Sequence, residues 1–195
     1  MSEAIARFQQ ARAAIEADRA VDIAETYATI AAAADEGEPE ALLFAAYAMG
    51  IGYGCPVDLD LALEYIFIAD EAGAPDATPQ AELLTKGGDL AAWTAPRAVE
   101  YVNDEPRIGI SKRFVDAETC AWMIERARPL QEASFVYDPA TGRPVRDDAR
   151  TNTAGAFKLS DLNMPLILIR HRIANTLAFA HDTFERTSIF RYEVG

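Results

Sequence analysis

The sequence predicts an α+β chain, with an all-helical first half followed by a segment in which strands and helices alternate. Three observations carry that prediction. The first hundred residues are Ala-rich, and their apolar side chains fall at helical spacing, as in Ile5, Phe8, Ala11 and Ile15 and then Ile23, Ala24 and Tyr27. Gly37, Pro39 and Ala41 return 36 positions later as Gly73, Pro75 and Ala77, a period that indicates stacked helical hairpins. From Arg107 onward, short β-branched and aromatic runs bounded by turn residues interrupt the helical pattern.

Within one hairpin, a helix from about Pro39 to Met49 should be broken by the Gly50-to-Pro56 stretch, and a second helix should start after Asp58 as its N-cap. The Gly-rich stretch lies between two helices, not between a strand and a helix. It therefore reads as a hairpin turn and not as a dinucleotide fingerprint. Lys86-Gly87-Gly88-Asp89 and Thr94-Ala95-Pro96 read as breaks, which puts a linker between Gly87 and Pro106.

In the second half, Arg107–Ile110 reads as a short strand, and a helix follows from about Ala117 to Leu130, with Trp122, Ile124 and Leu130 on its buried side. Ser134–Tyr137 reads as a strand running into the turn Asp138-Pro139-Ala140-Thr141-Gly142. A further strand spans about Arg150 to Phe157. Leu162, Leu166, Ile169, Ile173 and Leu177 then recur every three or four residues, predicting a helix that opens near Asn163 and Pro165. Thr187–Val194 reads as a last strand.

Charge separates the two halves. Residues 1–100 hold 18 Asp and Glu against 5 Lys and Arg, whereas the rest of the chain is balanced, so the net charge of −13 belongs to the helical half. Such a surface repels phosphate backbones and excludes nucleic acid as a partner, while a cationic protein partner is compatible with it. No apolar run approaches the roughly 20 residues that span a bilayer, and the chain is expected to be soluble and cytoplasmic, without a membrane partner. Cys55 and Cys120 are too few for a disulfide framework and form no zinc-ligand spacing; both are expected to be small, at least half-buried side chains. No Gly-x-Ser-x-Gly elbow or phosphate-binding Gly-Lys-Ser/Thr loop is present.

Two resemblances add to this reading. The run of Ala, Gly50, Gly52, Gly54 and Pro56, followed by Asp58 and an Ala-rich helix, resembles the Sel-one-like subclass of tetratricopeptide-type repeats. The order Cys-Ala-Trp-Met-Ile, Asp-Pro-x-Thr-Gly, Arg150-Thr151-Asn152-Thr153, an amphipathic helix and Arg191-Tyr192-Glu193-Val194-Gly195 is similar to the first half of the catalytic domain of prolyl 4-hydroxylase-type oxygenases. That implies two regions: repeats over 1–95, and the N-terminal part of an oxygenase domain over 106–195.

For the second region the resemblance implies an incomplete double-stranded β-helix, or jelly roll. It also implies Fe(II), 2-oxoglutarate and ascorbate as cofactors, and hydroxylation of prolyl residues in a peptide or protein. Tyr192 matches the family tyrosine that can donate to a 2-oxoglutarate carboxylate, and Arg150 and Asn152 match positions facing the bound peptide. In the family, two histidines and one carboxylate occupy one face of the iron. Here His171 and His181 both lack the His-x-Asp spacing and are expected at the surface or as caps. No catalytic or metal-ligating residue is therefore assigned, no cofactor is expected to bind tightly, and this stretch alone is expected not to turn over. The alternative is a non-catalytic helical-repeat adaptor carrying an oxygenase remnant.

Overall fold

A computed structural model describes residues 2–145 and 151–193, and they form two compact units. One unit comprises residues 1–116 together with 158–183; the other comprises 117–157 together with 184–195. The helix over residues 164–177 thus clusters with the helical half. These units are defined by packing, whereas the regions 1–95 and 106–195 were drawn from kinship.

The first unit starts with α1 (Glu3–Glu16), α2 (Ile23–Asp35), α3 (Pro39–Ile51), α4 (Leu59–Glu71) and α5 (Ala77–Gly87). Side-chain caps set their starts: Ser2 accepts from the Ile5 N–H, Asp22 from Glu25 and Asp58 from Leu61, while Pro39 opens α3. The repeat seen in the sequence appears in the backbone. Gly37 and Gly73 take left-handed φ values of 80° and 79°, and each follows a helix whose last carbonyls accept their N–H groups.

Helix α3 is buried all round from Ala41 to Gly50, which is why its sequence carries no polar stripe. Phe8 of α1 meets Phe44 of α3 edge-on, with ring centroids 5.7 Å apart. The Gly-rich turn runs close against α2: a Cβ on Gly54 would lie 2.6 Å from the Ile23 carbonyl oxygen.

The expected linker is partly structured. It holds α6 (Leu90–Thr94), capped by Asp89, and β1 (Glu100–Asp104), which pairs antiparallel with β2 (Arg107–Ile110). Trp93 is the physical reason, since it is buried and its indole N–H donates to the Leu84 carbonyl at 3.2 Å. Later in the chain, α8 (Met164–Leu177) opens at Asn163, whose side chain accepts from Leu166, and it packs on α3. Gly50 makes room there, because a Cβ would come within 2.9 Å of Ile167 Cγ2.

The second unit contains α7 (Ala117–Ala127), β3 (Gln131–Ala133), β4 (Val136–Tyr137), β5 (Pro144–Val145), β6 (Thr153–Ala156) and β7 (Ser188–Arg191). Helix α7 stops three residues short of the expected Leu130, and a 3₁₀ turn covers Arg128–Leu130, because Pro129 disfavours helical backbone before it. Its expected buried side is only partly covered. Ile124 is 54% exposed, while the small Thr119 and Ala127 are buried.

The strand expected at Ser134–Tyr137 is shortened to its last two residues, and a further strand precedes it. Residues 131–133 join the sheet β3-β6-β7, and Val136–Tyr137 forms a separate hairpin with β5 around the Asp138 turn. In that turn the Asp138 carboxylate accepts from the Ala140 and Thr141 N–H groups at 2.8 Å each. These donors hold its carboxyl below the usual range. All described strand pairs are antiparallel, and the architecture is α+β.

Candidate functional site

Two of the three predicted site residues, Asn152 and Tyr192, flank strands of the second unit's sheet. Its three strands are tied together by one side chain. Gln131, on β3, accepts from the Thr153 hydroxyl of β6 at 2.6 Å and donates through Nε2 to the Ile189 carbonyl of β7 at 3.0 Å. That reach requires Gly155, which faces Gln131 across the ladder: a Cβ there would lie 2.8 Å from Gln131 Nε2 and 3.0 Å from the Ala127 carbonyl oxygen. Beside this bridge is an open cavity of about 500 Å³, lined by Ile124, Ala127, Arg128, Gln131, Phe190 and Tyr192 among others.

Tyr192 follows β7 directly and is 71% exposed at the cavity's rim. Its hydroxyl makes no hydrogen bond among the described residues, so it is available to a ligand. Asn152 precedes β6, and the pairing Thr153↔Arg191 continued by one step sets it opposite Tyr192. The sheet therefore brings two of the three predicted residues to one end of a strand pair.

Asn152 itself is buried. Its amide nitrogen donates to Ser134 Oγ at 2.6 Å and to the Thr153 carbonyl, and its own carbonyl accepts from the Ser134 N–H. This is the geometry of a side chain that holds two strands together. Arg150 lies outside the described residues.

Two cations border the cavity, and both are paired. Arg128 binds Glu125 at 2.6 Å, an interaction that holds the Glu125 carboxyl below its ordinary range, and Arg191 binds Glu193 at 2.8 Å. An incoming carboxylate can exchange with either partner, because both pairs are exposed. The sequence reading missed Gln131, Gly155 and Arg128. Gly155 was the available signal, since a glycine inside a strand often marks close approach by another group.

The two histidines lie in the other unit. His171 and His181 stack with ring centroids 5.1 Å apart, and His171 Nε2 sits 2.8 Å from the Gly50 carbonyl oxygen. His171 is half-buried, not a surface or capping residue, and burial, with His181 and Arg170 adding to it, depresses its pKa. Cys120 is exposed, contrary to expectation, and Cys55 is half-buried.

Among the described residues, no three His, Cys, Asp or Glu side chains converge so as to hold a metal ion. These donors do not fit a two-histidine, one-carboxylate iron site. Among the described residues no helix is long and apolar enough to cross a membrane.

Comparison with known proteins relates the chain to plant prolyl 4-hydroxylases. It is 30% identical over 99 residues to probable prolyl 4-hydroxylase 10 of Arabidopsis thaliana, a match covering 51% of this chain and 34% of the relative. Probable prolyl 4-hydroxylase 3 of the same organism is 31% identical over 119 residues, covering 61% and 39%. Prolyl 4-hydroxylase 1 is 32% identical over 95 residues, covering 48% and 34%. The chain thus spans somewhat over a third of the length of these relatives. No protein-family model and no solved structure matches it.

Proposed function

We propose that these residues form the leading part of a 2-oxoglutarate- and Fe(II)-dependent dioxygenase that hydroxylates prolyl residues of a peptide or protein. The helical unit then serves as a docking surface and brace. What supports this most is that the relatives found over about half the chain or more are named prolyl 4-hydroxylases. The resemblance in the Arg-Thr-Asn and Arg-Tyr-x-x-Gly segments also supports it: Asn152 directly precedes β6 and Arg191 ends β7, and these two strands pair antiparallel.

In this reading Tyr192 donates its hydroxyl to a carboxylate of 2-oxoglutarate, at the end of β7 where the hydroxyl is free. Asn152 is a positioning residue that fixes β6, the strand following Arg150, while Arg150 meets the peptide. Iron would take its ligands from residues other than those described here, and the 195-residue chain by itself is proposed not to turn over. The first unit would be an array of Sel-one-like repeats, and the sheet of the second the opening strands of a jelly roll.

The test is consumption of 2-oxoglutarate by the chain alone and by any natural form that contains it, with a proline-rich peptide, with and without Fe(II). Iron-dependent consumption coupled to hydroxyproline formation in the longer form supports the reading; a longer form that does neither overturns it. Tyr192→Phe should weaken 2-oxoglutarate binding about tenfold, as expected for loss of a hydrogen bond to a charged group. Unchanged binding would remove Tyr192 from the site.

A second reading, a helical adaptor with an oxygenase remnant, draws support from the acidity confined to residues 1–100. Capture of a basic partner by the chain, with no iron binding in any natural form, would favour it.

A further inference from the structure

We propose that the first unit contains a second ligand site, built by the β1–β2 hairpin and the end of α8, that takes a small monocarboxylate with an apolar body. The cavity there measures about 620 Å³, within the usual size of small-molecule sites. Its walls are largely apolar, supplied by Val99, Phe114, Ile173, Leu177 and Phe179.

Besides Tyr101 of β1 and Thr176 of α8, its polar groups come from one face of β2. Alternation puts Arg107, Gly109 and, just past the strand's end, Ser111 on the same side of β2, and all three line the cavity. Gly109 has a specific role. A Cβ there would lie 2.5 Å from Val99 Cγ1 and 3.3 Å from Tyr101 Cε1, so the glycine makes room for Val99 and the Tyr101 ring against the strand.

The Arg107 guanidinium rests on that ring, 4.0 Å from its centroid. It forms no ion pair among the described residues. The Ser111 Oγ is buried and has no hydrogen-bond partner among the described residues. A buried hydroxyl left unpaired costs stability, and an acceptor brought in by a ligand removes that cost.

A cation and an orphaned hydroxyl lining the same apolar cavity select a single anionic head on a hydrophobic body. Charge complementarity decides the occupant: the cavity lining contains no carboxylate, although the unit around it is strongly acidic. The dicarboxylate 2-oxoglutarate has no apolar body to place on this floor. The site is therefore separate from the one proposed at Tyr192, and either reading can fail without the other.

The experiment is titration of the full chain with 4-phenylbutyrate, followed by NMR chemical shifts of the Ile173 and Leu177 methyl groups. Saturable binding that is at least about tenfold weaker for 4-phenylbutanol, and about tenfold weaker in Arg107→Gln, is the expected result. Ser111→Ala should lower affinity while raising the melting temperature of the unliganded chain, because it removes an unpaired hydroxyl; a purely structural serine would not separate the two effects. A tenfold excess of 2-oxoglutarate should not displace the ligand. Equal binding of the acid and the alcohol, absence of saturable binding, or displacement by 2-oxoglutarate would overturn the proposal. Arg107 is exposed on a hairpin, so R107Q is expected to fold, and circular dichroism verifies it.

Discussion

Arg172 is a buried cation whose hydrogen bonds go to backbone carbonyls: Trp93 and Phe114 at 2.7 Å each and Ala92 at 3.0 Å. Burial lowers its pKa, yet the guanidinium stays charged at any ordinary pH. Three carbonyls at the end of α6 and before α7 depend on it, so Arg172→Ala should destabilise the first unit by about 3 kcal/mol, read as a lower urea midpoint. Arg172→Lys should recover only part of that loss, because an ammonium cannot reproduce the fork of donors.

Gln80 has a similar role, donating to Tyr47 Oη and the Asp76 carbonyl while accepting from the first N–H of α8. Neither residue could be recognised from sequence. A lone Arg or Gln on an apolar helix reads as a surface residue unless its distant partners are known.

His171 gives a pH signature whose sign follows from burial. Its folded pKa lies below the unfolded value of about 6.5. Between the two values the unfolded chain therefore binds more protons, and stability rises with pH. The contribution is complete above about pH 6.5 and is lost as the pH falls below it. The groups facing it are His181, Arg170 and the Gly50 carbonyl; the first two act in the same direction as burial, and the carbonyl opposes them. His171→Gln should flatten the dependence of the urea midpoint on pH between 7.5 and 5; an unchanged slope would assign the dependence to other groups.

Among elements, the helices were the most legible. Asp58, Pro39 and Asn163 start α4, α3 and α8 where their side-chain chemistry requires, since capping is a local interaction. The strand β2 was also legible from its β-branched alternation. The short strands of the second unit were less so. The sheet edge at Gln131 is defined by pairing with residues more than twenty positions away, and no local pattern encodes that.

The sequence singled out Tyr192 and Asn152, but it did not show that Asn152 is buried and bonded to Ser134. Gly155 tests the element directly. Gly155→Ala forces a Cβ into the Ala127 carbonyl and the Gln131 amide, and should cost about 1–3 kcal/mol, mostly by separating β3 from β6. Amide exchange at Gln131 and Gly155 would report it, and unchanged protection there would show that Gln131 does not hold the sheet.

At the scale of the whole molecule, the two units differ in how much apolar surface each buries. In the first, α3 is surrounded on all sides, and α8 buries Met164 through Ile169 as an unbroken run. In the second, Ala127 and Phe157 are the buried apolar side chains among the described residues, while Phe190 is 55% exposed, Tyr137 74% and Ile124 54%. The three-stranded sheet also leaves the outer edges of β3 and β7 without a strand partner among the described residues. A sheet with so little core of its own gains little from hydrophobic burial, and its local opening should cost much less than opening the helices.

Hydrogen exchange on the isolated chain should therefore separate into two classes. Amides of α3 and α8 should exchange at the rate of global unfolding, and those of β3, β6 and β7 at least about a hundredfold faster, the difference expected for about 3 kcal/mol of local stability. Limited proteolysis should cut first within the second unit, and the exposed edges should make the chain self-associate with rising concentration. Equal protection of both units would mean that the sheet is stabilised by more than the contacts seen here, and would count against the jelly roll proposed for this unit.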